Sequence, residues 1–282
     1  MHHHLAILMT AYNSGAYIEA QIDSILSQTY KDWDLFVRDD QSTDNTQTIL
    51  SEYAEREQRI HVLTDGEKRG AKHGFMWMLQ QIDADYYMFC DHDDVWLPAK
   101  VERSMAVMLQ QQDVKETPLM VCTNAKVVDA DLNVMAESYW QYKSHHPSMF
   151  ADKYYHLFYN NVLGCTMLFN RKARDLSFPY PPNTAMHDFW LALTVLWQGG
   201  RIVPVEESLM LYRQHGSNTI GTPPVPSLWK QLMGGKSLLR KTREQYDANK
   251  ETAQISYARF FLLKLKYMLR IHWASISKKL KR

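Results

Sequence analysis

The sequence lacks most of the features that name a function class at sight. Neither G-x-G-x-x-G nor G-x-x-x-x-G-K-[ST] occurs at any turn, so dinucleotide-binding and P-loop readings lose their support. Cysteine is scarce: Cys90, Cys122 and Cys165 have no paired spacing and sit in apolar contexts. They read as small core residues in a reducing compartment, with neither a disulfide framework nor a zinc site. No uncharged stretch reaches the roughly 18 residues of a membrane-spanning helix. The apolar run Leu5 to Met9 is too short for a secretory leader, so a cytoplasmic protein is expected. There is no internal repeat and no low-complexity segment. Met1-His2-His3-His4 reads as a truncated tag or a native start and is given no function.

Composition is otherwise that of a globular protein, 45% apolar and 22% charged over 282 residues, ample for one large domain with an appendage. The formal charge of +1 conceals a division. Residues 221–282 hold 14 lysines and arginines against three acids, and the rest holds 18 against 28. An acidic body with a basic tail points to a tail that meets a negatively charged surface.

Short apolar runs alternate with helical spacing through the first half. Leu5–Met9, Trp33–Val37, Ile60–Leu63 and Tyr86–Cys90 read as strands. Ile18, Ile22 and Ile25, then Ile49, Leu50 and Tyr53, then Gly74 to Ile82 read as the helices between them. This order implies a mostly parallel sheet with right-handed crossovers. Ligands bind beyond the carboxyl ends of such strands, and polar clusters follow three of them: Thr10–Asn13, Asp39–Asp44 and Asp91–Asp94. Further on, Leu119–Thr123, Gly164–Phe169, Ile202–Val203 and Ser208–Tyr212 read as strands, and His187–Trp197 as a helix. Gly221–Pro226 is a linker by composition. This gives residues 1–220 as a catalytic domain and 221–282 as a linker plus basic helical tail.

Asp91-His92-Asp93-Asp94 stands out. Three carboxylates within four positions raise one another's pKa and destabilise a site unless a cation or strong donors compensate. A hard divalent metal that also holds substrate phosphates is the commonest reason for such a cluster. The plain alternative is an acidic turn capping the helix that starts near Pro98.

Taken in order, these motifs resemble the family 2 inverting glycosyltransferases of the GT-A fold, and among them the bacterial rhamnosyltransferases of O-antigen and capsule assembly. The resemblance runs from about Leu5 to Ile220. Asp39-Asp40-Gln41-Ser42-Thr43-Asp44 resembles the family's D-D-G-S-x-D, with Gln41 in place of glycine. Asp91-His92-Asp93 resembles its D-x-D motif, and Asp94-Val95-Trp96-Leu97-Pro98 is typical of the subgroup. Met186-His187-Asp188-Phe189-Trp190 resembles the segment carrying the catalytic base, where Glu-Asp is commoner than His-Asp. Leu211-Tyr212-Arg213-Gln214-His215-Gly216-Ser217-Asn218 resembles the closing motif, and Gly164-Cys165-Thr166 the segment beside the acceptor.

The resemblance implies a GT-A fold (Rossmann-like α/β) with a basic helical extension, and a metal-dependent transfer of a sugar from a pyrimidine nucleotide to a cell-surface glycan or its lipid-linked precursor. Thr10, Ala11, Tyr12, Asn13, Asp40, Lys72, Asp91, His92, Asp93 and Arg213 would contact the nucleotide sugar, Asp40 through the base and Arg213 through the diphosphate. Asp93 and His215 would hold Mn²⁺ or Mg²⁺, and Asp188 would act as base. Asp94, Trp96, Gly164, Cys165 and His187 would face donor or acceptor sugar. The subgroup favours dTDP-L-rhamnose as donor; a UDP-hexose is the alternative, and no residue separates the two.

On a helical wheel of Tyr257–Leu280, Phe261, Leu265, Met268, Leu269 and Ile276 share one side with Trp273 at its border, and Arg259, Lys266 and Arg270 lie opposite. Such a helix suits an anionic membrane surface, here the inner face of the plasma membrane. The alternatives are packing on the catalytic domain or on a second copy in a homodimer. A nucleotidyltransferase is a rival class, but Thr10–Gly15 offers one glycine and no Lys or Arg. A nucleic-acid module is disfavoured by the acidic body, and no nucleic-acid partner is expected.

Overall fold

The alternation of apolar runs and amphipathic segments becomes one nine-stranded mixed sheet flanked by helices. The computed structural model of the chain describes residues 4–111, 116–143, 145–181, 184, 186–216 and 235–279. Strands β1 (Leu5–Ala11), β2 (Trp33–Asp39), β3 (Ile60–Leu63) and β4 (Tyr86–Asp91) are linked by helices α1 (Ile18–Leu26), α2 (Thr46–Arg56) and α3 (Gly70–Gln81). All four strands pair in parallel, in the order β3-β2-β1-β4. Every β1 residue is buried, as expected for a strand covered by helices on both faces.

Beyond β4 the sheet continues β8-β6-β9-β5, with β7 pairing β6. Here β5 is Val95–Trp96, β6 Leu119–Val128, β7 Val134–Ala136, β8 Met167–Asn170 and β9 Arg201–Arg213. Strand β8 lies antiparallel between β4 and β6, while β6 and β9 run parallel. Helices α4 (Lys100–Leu109), α5 (Tyr139–Tyr142), α6 (Arg171–Leu176) and α7 (His187–Trp197) fill the connections. Gly164–Thr166, read from sequence as the start of a strand, is a 3₁₀ turn leading into β8. Ile202–Val203 and Ser208–Tyr212 are one strand, β9, whose register on β6 shifts between them.

Two helices close the described chain, α8 (Gly235–Ala253) and α9 (Tyr257–Lys279). They pack on a second core in which Phe260, Tyr267 and Ala253 join Tyr155, Leu157, Phe158 and Leu193. The buried side of α9 is therefore Phe260, Lys264, Tyr267 and Met268, rotated from the apolar side read on the wheel; Leu262 and Leu269 face outward. Tyr267 explains the rotation, because its hydroxyl donates to the Asp152 carboxylate at 2.7 Å while its ring packs edge-on to Tyr155. Ile276, Trp273 and the linker Gly221–Pro226 lie outside the described residues or side chains. Among the described residues, no helix is long and apolar enough to cross a membrane.

Candidate active site

Strand register alone brings the polar clusters together. Ala11 at the end of β1 pairs with Asp39 of β2, and Thr10 pairs with Asp91 of β4. The three polar segments therefore share one rim of the sheet, beside a cavity of about 760 Å³. Thr10, Asp91, His92, Asp93, Gly164, His187 and Asp188, all singled out from sequence, line it.

His92 is fixed by the rim itself. Its Nδ1 lies 3.0 Å from the Thr10 carbonyl, which can only accept, so the proton sits on Nδ1. His215 Nε2 lies 2.8 Å from Asp93 Oδ2, and the His215 ring stacks on Tyr17 at 4.7 Å. Arg213 packs on the same tyrosine, its guanidinium 4.8 Å from the Tyr17 ring centroid. Its Nε donates to the Asp93 carbonyl at 2.7 Å and its Nη1 to the Ala130 carbonyl at 2.6 Å. Arg213 thus braces the backbone of the acidic turn, a different task from the diphosphate contact expected of it.

The acidic turn divides by depth. Asp93 and Asp91 reach the cavity, whereas Asp94 is fully buried and accepts the Arg213 N–H at 3.0 Å. Burial, and then the neighbouring Asp93 charge, push the carboxyls of Asp91 and Asp94 well above the usual range. Such crowding is what a bound cation relieves. The donors fit one: the Asp93 carboxylate, which lines the cavity, lies 2.8 Å from the His215 imidazole, a pair suited to Mn²⁺ more than to Mg²⁺. Asp91, Asp94 and Cys165 also bring ligand atoms within 4.8 Å of one another. Burial keeps the Cys165 thiol protonated, which makes that group the poorer holder of a hard ion.

Three further expectations need correcting. Trp96 does not face a sugar: it is 1% exposed in β5, its ring 4.9 Å from the Lys100 ammonium. Cys165 lies beneath the acidic turn and is equally buried, so it takes no acceptor contact. Both were placed in the site by motif position, yet each points into the core behind it. Asp94 likewise serves the turn and not the cavity.

Asp188 sits in the first turn of α7, where free backbone amides converge. Its Oδ1 accepts the Phe189 N–H at 2.6 Å and its Oδ2 accepts Asn160 Nδ2 at 2.9 Å. Burial nevertheless lifts its pKa to about 6 against these donors. A carboxylate poised close to neutrality is a competent proton acceptor. His187 stacks on Phe75 at 4.3 Å and meets Phe89 edge-on, and burial lowers its pKa to about 3, keeping it neutral. Gly164 lets this helix end approach closely, since a Cβ there would lie 3.0 Å from His187 Nε2 and 3.5 Å from Asp188 Cβ.

On the far side of the rim, Asp40 ties β2 to α3. Its carboxylate accepts from Arg38 Nη1 at 2.6 Å, Arg69 N at 2.7 Å and Gly70 N at 2.9 Å. Burial would raise its pKa, and the Arg38 bond with the two amides holds it low instead. Gly70, at φ +67°, adopts the left-handed conformation that aims its N–H at Asp40. Gln41 keeps the turn of the glycine it replaces, at φ +65°, a conformation costing roughly 1–2 kcal/mol for a side-chain residue. Tyr12 is 43% exposed with the Lys68 ammonium 4.1 Å from its ring centroid, open for a planar base to stack. Ala11 accepts the Asp40 N–H at 2.8 Å, and Asn13 Oδ1 accepts the Thr43 N–H at 2.8 Å; both hold the loops together. Lys72 Nζ donates to the Thr184 carbonyl at 3.0 Å.

Sequence reasoning missed Asn160, Tyr17 and the wall that α8 contributes. Tyr17 precedes α1 with no motif to mark it, and Asn160 lies four residues ahead of the segment Gly164-Cys165-Thr166.

A mixed sheet with an acidic turn at the rim and a carboxylate-bearing helix across the cavity defines a GT-A glycosyltransferase site. Residues 6–188 match the profile of Glycosyl transferase family 2, and the chain belongs to that family. Among curated relatives, a 107-residue segment is 33% identical to the putative teichuronic acid biosynthesis glycosyltransferase TuaG of Bacillus subtilis, covering 38% of this chain and 42% of that protein. A 106-residue segment is 36% identical to the Escherichia coli UDP-Glc:alpha-D-GlcNAc-diphosphoundecaprenol beta-1,3-glucosyltransferase WfgD, covering 38% and 41%. The matches thus span about two fifths of each relative. Among solved structures, S. aureus TarS 1-349 in complex with UDP-GlcNAc superposes with a TM-score of 0.61 over 96% of this chain and 72% of that one, at 17% identity. The Pyrobaculum calidifontis mannosyltransferase PcManGT, in complex with GDP-Man and Mn²⁺, gives a TM-score of 0.57 over 98% and 75%, at 14% identity.

Proposed function

We propose that the protein transfers a hexose, with inversion, from a pyrimidine nucleotide sugar to a hydroxyl of a lipid-linked glycan precursor at the inner face of the plasma membrane. The observation that carries this reading is that Asp93, paired with His215, and Asp188 line one cavity. Asp188 takes the proton of the acceptor hydroxyl as the new glycosidic bond forms, and Asn160 with the Phe189 amide holds its carboxylate in place. Asp93 and His215 would hold a divalent cation, whose charge would offset that of the departing diphosphate. Asp91 and His92 line the donor side, and Tyr12 offers its ring to the base. Gly164 and His187 shape the floor beside Asp188.

The subgroup resemblance favoured dTDP-L-rhamnose. The UDP-glucose donor named for WfgD instead supports a UDP-hexose here, and we take UDP-glucose as the first donor to test. The acceptor named for the same relative, a GlcNAc diphosphate lipid, supports a membrane-bound acceptor. The outer side of α9 is consistent with that location: exposed Leu262 and Leu269 stand among Arg259, Lys266 and Arg270. Release of UDP from UDP-glucose in the presence of Mn²⁺, compared with release from dTDP-rhamnose, tests the donor assignment.

A further inference from the structure

Helix α8 meets the cavity with a polar stripe. Lys241, Glu244, Gln245, Ala248 and Asn249 line it, at the i, i+3, i+4, i+7, i+8 spacing of one helical side. A helix that docks only for stability turns apolar residues along such a stripe. In α8 that work falls to others: Tyr246 packs against Phe260 at 5.4 Å, and Ala253 joins the second core.

The polar stripe is held in place. Gln245 Oε1 accepts from Lys264 Nζ at 2.5 Å, and Asn249 Nδ2 donates to the Gln245 carbonyl at 2.8 Å. Asn249 is only 6% exposed, so its amide is ordered before any ligand arrives. The same cavity carries Phe158 and Trp190. Amide and carboxylate side chains beside aromatic rings suit a sugar, whose hydroxyls need paired donors and acceptors and whose C–H faces pack on rings.

We propose that this stripe of α8 is the acceptor-sugar subsite, with Glu244, Gln245 and Asn249 hydrogen-bonding the acceptor's hydroxyls and so selecting it. The inference rests on the proposed function, because a cavity whose Asp188 deprotonates an acceptor must also hold that acceptor. It goes further in placing acceptor choice on α8, which lies outside residues 6–188 that match the family. The family segment then handles the nucleotide sugar, and this helix handles what receives it.

Ala248 supplies the test. It is exposed to the cavity, so Ala248→Trp fills the subsite without overpacking the core. The probe is GlcNAc α-linked to a diphosphate bearing a short alkyl chain, titrated by calorimetry with UDP and Mn²⁺ present. Wild-type protein binds the probe, and Ala248→Trp weakens it by about tenfold or more while UDP affinity stays unchanged. Glu244→Gln, at an exposed position, raises the acceptor KM and leaves the donor KM alone. A wild-type protein that does not bind the probe, an Ala248→Trp protein that binds it as tightly, or a parallel loss of UDP affinity overturns the subsite. Probe binding without any UDP release from nucleotide sugars overturns the transferase reading and leaves the subsite standing.

Discussion

His215 Nε2 lies 2.8 Å from Asp93 Oδ2, joining the segment just after β9 to the acidic turn 122 residues earlier. A bound cation would take this carboxylate and this imidazole as its ligands. His215→Ala and Asp93→Ala are each expected to weaken Mn²⁺-dependent UDP binding by more than about tenfold. Binding measured in the presence of a chelator should differ little between either variant and wild type. Calorimetry with and without Mn²⁺ reads both quantities; equal losses in the two conditions would remove the ion from the account.

Asp188→Asn separates catalysis from stability. The variant is expected to lose turnover by about 10²–10⁴-fold while binding UDP normally. It should also melt higher at pH 7. The folded-state pKa of about 6 lies above the ordinary 3.8, so stability from this group is full below pH 4 and is lost as pH rises through 6. Removing the charge recovers that loss, at most about 3 kcal/mol. Melting curves at pH 4 and pH 7 check the sign: the gain should vanish at the lower pH.

The acid limb of the transfer rate follows from the same carboxyl. It should rise with pH about a midpoint near 6, as Asp188 ionises to accept the acceptor proton. The Asn160 amide donates to the ionised form and so favours it. Asn160→Ala is therefore expected to move the limb to higher pH. Asp91 and Tyr139 also face this carboxyl electrostatically and stay in place in the variant. A pH profile with an unmoved limb would assign Asn160 a packing role only.

The outward leucines of α9 give a test of membrane docking that leaves the core intact. Leu262→Asp and Leu269→Asp together should reduce co-sedimentation with vesicles rich in anionic lipid, since both are exposed at 66% and 56%. Melting temperature should change little. Unaltered pelleting would leave α9 as a packing helix alone.

Much of this was legible because burial on both faces writes strands as apolar runs. Leu5–Met9 and Tyr86–Cys90 fell within β1 and β4, and His187–Trp197 matched α7 to the residue. Strand β9 read as two pieces because Glu206 and Glu207 interrupt it where the strand meets solvent. Helix α8 went unread because the stripe it turns to the cavity, from Lys241 to Asn249, is mostly polar. The rotation of α9 was hidden because Lys264 and Tyr267 weigh as polar in a sequence, yet the structure buries both through partners on Gln245 and Asp152. Motif position singled out Asp91, Asp93, His215 and Asp188, of which the three carboxylates line the cavity and His215 bonds Asp93. It could not say that Asp94 would accept the Arg213 backbone N–H, or that the Arg213 guanidinium would go to the Asp93 and Ala130 carbonyls.

Whether Asp188 and the Asp93–His215 pair serve one sugar transfer is tested by product analysis after incubating the protein with UDP-glucose, Mn²⁺ and the short-chain GlcNAc diphosphate. The predicted result is UDP release coupled to a β-linked disaccharide, abolished by chelation and by Asp188→Asn. Transfer by Asp188→Asn at the wild-type rate, or an α-linked product, would contradict it.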